Sequence, residues 1–329
     1  MLNQSLKLNT KVFNVDVEKK STRQGFGEGL LSAGILDENI VGLCADLVES
    51  TKMNIFADKF PNRFIEVGIT EQNMASVASG MAAMGKLPFI ASYAVFNPGR
   101  NWEQIRTTIC YNNQPVKIVS SHSGLSIGPD GGSHQALEDI AITRVLPNMV
   151  VISPCDYLEA KRATIACAKT KNPTYLRCAR NDTPCITTDE TPFEIGKAQI
   201  VFQPELKLAQ IGIIATGPAL HNALMAAKEL ENEGLRIKVM NLSTIKPLDE
   251  KAIIDLAKET KNIITVEDHQ IAGGMGSAVS ECLSQNYPTH IEFIGIKDSY
   301  GQSGTPEELA KHYKIDTDSI IEAVRKNIK

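Results

Sequence analysis

The chain has 329 residues, of which 43% are hydrophobic, 5% aromatic and 22% charged. That is ordinary globular usage, and it excludes a disordered chain, a collagen or a disulfide-stapled miniprotein. Its 34 basic and 38 acidic side chains leave a net charge of −4, which gives no bulk electrostatic reason to coat nucleic acid or an anionic membrane. No apolar run approaches the roughly 20 residues of a membrane span. The start, MLNQSLKLNTKVFNVD, lacks the apolar core of a signal peptide. The 7 cysteines are odd in number and form no Cys-x-x-Cys; most lie in apolar runs such as VGLCAD and ATIACA. They read as small buried hydrophobes in a reducing, cytoplasmic compartment, without the paired ligands of a structural zinc site.

Beyond an N-terminal extension, residues 1–20, strand and helix patterns alternate. TRQGFGEGLLSAGI predicts a helix, NIVGLCAD a strand, FIEVG a short strand, NMASVASGMAAMG a helix of small residues, LPFIASYA a strand, GRNWEQIRTTICY a helix and VKIVSSHSG a strand. ALEDIAITRVL (helix), MVVISP (strand), YLEAKRATIACAKT (helix) and PTYLRCA (strand) follow. The strands are apolar on both faces, as in a parallel sheet covered on both sides. The polar stretch RNDTPCITTDETPFEIGKA breaks the pattern and places a domain boundary, with one domain over 21–187 and a smaller one over 195–329. In the second, QIGIIATG, IKVMNLST, NIITVED and IEFIGI read as strands between the helices NALMAAKELENEG, DEKAIIDLAKET and GMGSAVSECLSQ. The tail segments TPEELAKHY and DTDSIIEAVRKNI open on Thr or Asp caps with acidic first turns. The fold class is α/β, with two doubly wound domains.

Ligands of an open parallel sheet bind beyond the C-terminal ends of its strands, so the residues that follow strands are the candidates. In FIEVGITEQNMA, a strand ends at Gly68, Thr70 can cap the next helix and Glu71 stands in its first turn. Such a carboxyl can simply complement the helix dipole. Held away from water, it would instead have a raised pKa and could exchange a proton. After VKIVSS, the glycine-rich loop SHSGLSIGPDGGSHQALED carries His122, Asp130 and His134. These groups suit proton transfer and hydroxyl binding, against the plainer reading of structural hydrogen bonds. The loop lacks the Gly-Lys-Ser/Thr of a P-loop and matches no zinc spacing. Tyr93 and Phe96 read as core aromatics, and Arg23, Arg100, Arg106, Arg177 and Arg180 as surface charges. AGGMG after VEDH could be a phosphate loop or a helix-packing feature.

Together, ADLVES, VGITEQNMA, SYAVFNPGRNWEQIR and SHSGLSIGPDGGSHQALED resemble the pyrimidine-binding domain of transketolase. The IATG, VEDH and GGMG pieces are similar to the transketolase C-terminal domain, so the resemblance spans residues 20–329. The Gly-Asp-Gly signature of the preceding domain, which holds thiamine diphosphate through Mg²⁺, occurs nowhere in the sequence. The chain therefore looks like the C-terminal subunit of a split transketolase, part of a heterotetramer with a homodimeric core. The resemblance implies that the N-terminal transketolase subunit carries the metal ligands.

By the resemblance, Glu71 hydrogen-bonds the aminopyrimidine of thiamine diphosphate, with Phe96 and Tyr93 lining that pocket and Asp46 near the thiazolium side. His122 and His134 bind substrate oxygens and assist proton transfer, and Asp130 reads a substrate hydroxyl. Arg23, Ser50, His134 and Arg180 match positions that bind the sugar phosphate, a task for which a planar guanidinium fork is suited. The implied reaction moves a two-carbon glycolaldehyde unit from a ketose phosphate to an aldose phosphate. The alternatives are the β subunit of a 2-oxo acid dehydrogenase and a deoxyxylulose-phosphate synthase, both of which usually lack a histidine matching His122. A non-catalytic binding subunit is the alternative of another class.

Overall fold

The computed structural model describes residues 1–205 and 208–328. Its strands are β1 (Lys19–Ser21), β2 (Ile40–Cys44), β3 (Phe64–Glu66), β4 (Leu87–Tyr93), β5 (Lys117–Ser121), β6 (Val150–Ile152) and β7 (Thr174–Arg177). They continue with β8 (Asp182–Pro184), β9 (Gln199–Phe202), β10 (Ile211–Ala215), β11 (Ile237–Asn241), β12 (Thr244–Lys246), β13 (Asn262–Gln270) and β14 (His290–Ile296). Among the described residues they form a seven-stranded sheet, order β12-β6-β7-β5-β4-β2-β3, a five-stranded sheet, order β14-β13-β10-β11-β9, and the small ribbon β1-β8. Strands β2 to β7 pair in parallel, as do β10, β11, β13 and β14. The parallel α/β reading holds in both halves.

The cores explain why both faces of each sheet are apolar. On one face of the large sheet, Phe26 and Leu30 of the helix Thr22–Leu36 join Ile40, Phe89 and Leu176. On the other, Met74, Ala75 and Ala78 of the helix Glu71–Ala83 join Leu43, Ile90 and Ile118, and this core runs on without a break into Ile214 and Met240 of the second sheet and Ile253 of the helix Glu250–Thr260. The helices Ala219–Asn232 and Thr317–Asn327 close the far side of the small sheet. All seven cysteines are free and buried, and no described helix is long and apolar enough to cross a membrane.

Four features depart from the sequence reading. The segment GRNWEQIRTTICY is not one helix: a short turn, Trp102–Gln104, leads into a wide-turned stretch, Ile105–Cys110. Ahead of Trp102, the buried amides of Asn97 and Asn101 bond the Ile90 and Val119 carbonyls and the Glu71 carbonyl and anchor the chain that enters it. Strand β12, from the second half of the chain, adds itself antiparallel to β6 at the edge of the first sheet. The N-terminal extension straps both halves: Asn3 donates to the Val201 carbonyl and Leu8 and Val12 are buried in the second core, while Asn9 donates to the Ile186 and Cys185 carbonyls. Thr70 leaves the helix it precedes without a side-chain cap and donates instead to the Val67 carbonyl at 2.8 Å. By contrast Thr305 forms a full capping box with Glu308, and the Asp316 carboxylate accepts from Ser319 N–H.

The GGMG segment is resolved by Glu267. Glu267 is fully buried and accepts from the Met275 and Gly276 N–H groups at 2.7 and 2.8 Å, at the start of the helix Met275–Asn286. A Cβ on Gly274 would stand 2.2 Å from that carboxylate. The Met275 and Gly276 N–H groups are thus taken by the protein's own Glu267 carboxyl, which burial pushes up to about 8, and the phosphate-loop reading is withdrawn. His269, two residues on, is wholly buried and crosses to the first sheet's layer. Its Nε2 accepts from the Ile140 and Ala141 N–H groups at 3.2 and 3.4 Å, while Nδ1 donates to the Gln270 carbonyl.

Two predictions follow from this packing. A Cβ at Gly25 would meet the Tyr157 carbonyl oxygen at 2.0 Å, so Gly25→Ala should cost about 1–3 kcal/mol by forcing two helices apart; equilibrium denaturation would measure it. Burial holds His269 down at about 4, against an ordinary 6.5. Between those values the unfolded chain binds more protons. The contribution to stability is therefore complete above about pH 6.5 and is lost as pH falls to about 4, at most about 3 kcal/mol. His269→Gln, which keeps an acceptor and loses the titration, should flatten that part of the stability–pH curve.

Candidate active site

The C-terminal ends of β2, β3, β4 and β5 lie side by side in the parallel sheet, and they deliver the candidates. After β3, Gly68 takes a left-handed turn, φ +70°, whose N–H bonds the Glu66 carboxylate. The same carboxylate oxygen accepts from Asp46 N–H after β2, at 2.8 Å. One acidic side chain thus sets two neighbouring strand ends. Glu71 then opens its helix at 2% exposure, and the Asn101 amide donates to its carbonyl at 3.1 Å. The carboxylate is not alone in an apolar seat. Arg100 donates to its Oε2 at 3.0 Å, and the Arg100 guanidinium lies 4.8 Å from the centre of the Phe96 ring. A buried charge needs such a partner. Glu71 Oε1 takes none among the described residues.

Aromatic contacts carry the site onward. Tyr93 and Phe96, at the end of β4, stack at 6.1 Å. They are therefore partly exposed members of a site cluster rather than core aromatics. His122 stacks on Tyr93 at 3.7 Å, and His134 meets the Phe96 ring edge-on at 5.8 Å. His122 is 2% exposed, at φ +60°, with Ser121 Oγ 2.7 Å from its Nδ1. Burial pushes its pKa down to about 3, and the positive charges of Arg23 and Arg180, with His134, push the same way. The ring is neutral at physiological pH.

Two arginines complete the cluster. Arg23 donates to the Ser50 carbonyl at 2.7 Å and Arg180 to the Ile127 carbonyl at 2.9 Å. Burial and then the charge of Arg180 lower the Arg23 pKa, so two guanidiniums share one place beside His122. The buried Nε of Arg23 has no partner. Neither guanidinium enters an ion pair among the described residues, and of the acids only Asp182 counters the charge on Arg23, so the pair suits an added anion.

The structure thus brings Glu71, Tyr93, Phe96, His122, His134, Arg23 and Arg180 together, with Ser50 held through its carbonyl. Asp46 and Asp130 are exposed, and no hydrogen bond among the described residues fixes either carboxylate. Arg100 is a correction, since it contacts Glu71 rather than serving as a mere surface charge. Its only sequence signal was its place four residues after Phe96. Arg177 is another: it is 4% exposed and donates from Nε to Asp139 at 2.8 Å. Arg106 enters no ion pair among the described residues. Among those residues no group of three or more His, Cys, Asp or Glu side chains could hold a metal ion. A cavity of about 480 Å³ opens elsewhere, between the N-terminal strap, the Leu125–Ser126 backbone and the start of the helix Ala219–Asn232, and none of these site residues lines it.

The comparisons with known proteins agree with this architecture. A family model described as "Transketolase, pyrimidine binding domain" matches residues 18–185, and one described as "Transketolase, C-terminal domain" matches 203–320. The chain belongs to the transketolase family. It is 43% identical, over 94% of its length and 97% of the relative's, to a protein of Methanocaldococcus jannaschii named as a transketolase C-terminal section. It is 37% identical to human transketolase, spanning 94% of this chain but 49% of that one. A solved structure described as "Split gene transketolase, inactive beta4 tetramer" superposes with a TM-score of 0.86 at 38% identity, covering 94% of this chain and 98% of that one.

The His122 environment makes a prediction independent of function. In an NMR pH titration the His122 ring should stay neutral until pH nears 3. Arg23→Gln should move its titration upward, because a positive neighbour is gone. A parent His122 that titrates near 6.5 would contradict the packed geometry.

Proposed function

We propose that this chain is the C-terminal subunit of a two-chain transketolase, which moves a two-carbon glycolaldehyde unit from a ketose phosphate to an aldose phosphate. The observation that carries the reading is the contiguous run Glu71–Arg100–Phe96–Tyr93–His122, ending on the Arg23–Arg180 pair. A carboxylate with an unpartnered oxygen beside two flat rings fits an aminopyrimidine, which offers a ring nitrogen and two faces. Glu71, Tyr93 and Phe96 would hold that half of thiamine diphosphate, with Asp46 toward the other ring. When bound, thiamine diphosphate supplies an electron sink for carbon–carbon cleavage.

The remaining steps belong to this chain's own residues. Glu71 would share a proton with the pyrimidine nitrogen through Oε1, the oxygen that Arg100 leaves free. Arg23 and Arg180, with Ser50 and His134, take the substrate's phosphate. That anion offsets the positive charge that helps hold the His122 pKa low, so His122 becomes a better base once substrate is seated. His122 and His134 move protons at the substrate's oxygens, and Asp130 selects a hydroxyl. The diphosphate and Mg²⁺ fall to an N-terminal transketolase subunit, in a heterotetramer around a homodimeric core. The spans support this: the chain matches nearly all of the archaeal section and half of the human enzyme. The seven unpaired cysteines accord with a cytoplasmic location.

One relative bears on the sugar. The 6-deoxy-6-sulfo-D-fructose transketolase subunit of a Clostridium species is 33% identical over 94% of this chain and 95% of its own. A guanidinium pair accepts phosphate or sulfonate, and the sugar phosphate is the reading we retain. A 1-deoxy-D-xylulose-5-phosphate synthase of Syntrophus aciditrophicus is 34% identical but is matched over only 47% of its length.

The test mixes this chain with its partner, thiamine diphosphate and Mg²⁺, and follows transfer from xylulose 5-phosphate. The pair should turn over and the chain alone should not, and Glu71→Ala should lower kcat by about 100-fold or more without unfolding the chain. Robust turnover by the isolated chain, or an indifferent Glu71→Ala variant, would sink the proposal. A covalent intermediate built from pyruvate instead would point to the synthase or dehydrogenase reading.

A further inference from the structure

The loop that carries Asp130 and His134 does not rest on its own domain alone. The Leu125 N–H, three residues after His122, donates to both carboxylate oxygens of Asp268, at 3.0 and 3.1 Å. Asp268 lies on β13 of the second sheet. Its carboxylate fills the space beside Gly124: a Cβ there would stand 1.9 Å from Oδ2 and 2.5 Å from Cγ. Gly124 also has φ +66°, a backbone state that side chains disfavour. Glycine at 124 therefore serves two purposes, and one of them is to admit this acid.

Asp268 is itself held on the other side. Arg177 donates to its carbonyl at 2.7 Å while bonding Asp139 at 2.8 Å. The distal half of the loop is cradled by the same domain. Gln135 donates to the Gln302 carbonyl at 3.0 Å, and a Cβ on Gly132 would meet the Gly301 carbonyl oxygen at 2.4 Å. The 3-10 stretch Gly124–Asp130 thus hangs between one carboxylate at its start and a backbone cradle after its end.

We propose that Asp268 is a positioning residue for the substrate loop: bound to Leu125 N–H in the gap left by Gly124, it sets where His122 and Asp130 stand. It touches neither substrate nor cofactor and acts through the backbone. Displacements of about 1 Å at a reacting group can cost of the order of 100-fold in rate, so a small shift of this hinge would be read out in catalysis. The catalytic part of the inference rests on the transketolase reading; the positioning part does not.

The experiment uses Asp268→Ala and Asp268→Asn in the full chain. Hydrogen–deuterium exchange of the isolated chain should show faster exchange over 122–138 in Asp268→Ala, with the helix Glu71–Ala83 unchanged. With the partner subunit, Asp268→Ala should lower kcat/KM for the sugar phosphates by roughly tenfold or more, chiefly through KM, while thiamine diphosphate affinity stays at the parental value. Asp268→Asn keeps one acceptor oxygen and should recover most of the loss. Unchanged exchange over 122–138, or cofactor affinity falling by the same factor as kcat/KM, would overturn the proposal. If Asp268→Ala does not fold, Asp268→Asn with parental kinetics and faster loop exchange would also overturn it. A parental pair without transketolase activity would refute the function instead, and the exchange result would still decide the positioning.

Discussion

An almost wholly buried ion pair, Asp139–Arg177, is the constraint on which the arrangement of the site depends. Arg177 ends β7 in the large sheet, and Asp139 opens the helix that follows the substrate loop. Tyr175 adds a 2.6 Å bond to the same carboxylate, and the other end of the guanidinium reaches the Asp268 carbonyl. Removing one member of such a pair costs about 3–5 kcal/mol, because the other is left buried and unpaired, yet the intact pair adds little net stability over an apolar substitute. What it contributes is registry. Three elements, one strand from each sheet and the helix opened by Asp139, meet at this pair.

Much of the fold was legible, for a simple reason. Buried parallel strands are continuous apolar runs, and VGLC, PFIAS, IGIIA and NIITV announce themselves. The strands that escaped were β1, β8, β9 and β12. Each is three or four residues long and pairs antiparallel at an edge. Strand β12, Thr-Ile-Lys, carries no periodicity to read; its place on β6 is set by the chain's path, through bonds such as Ser153 N–H to the Ser243 carbonyl. The break in the segment after Phe96 was equally hidden. The chain ahead of it is anchored by asparagine amides reaching carbonyls of two strands and a helix, contacts that composition does not encode.

The site divides along the same line. Glu71, His122 and His134 could be picked out because they follow strands, and strand ends are where a parallel sheet offers its ligand crevice. Arg100 could not, since a lone arginine in a turn gives no sign of which carboxylate it meets. Nor could Asp268, whose partner is 143 residues away. VEDH reads as a strand end with three charges. Only the packing shows each of its last three residues holding a different element: a helix start for Glu267, a loop for Asp268, and a helix of the other layer for His269.

The Glu71–Arg100 pair ties these themes to the idea of a shared site. A carboxylate 2% exposed cannot stay charged without a counterion or donor, and within this chain the available donor is an arginine that is itself half exposed. The surface at the start of the Glu71 helix is open: Ile69 precedes it at 69% exposure. Arg100 holds one oxygen of Glu71 and leaves the other free, so on the proposed reading a heterocycle beside Phe96 would take the free oxygen without displacing the guanidinium.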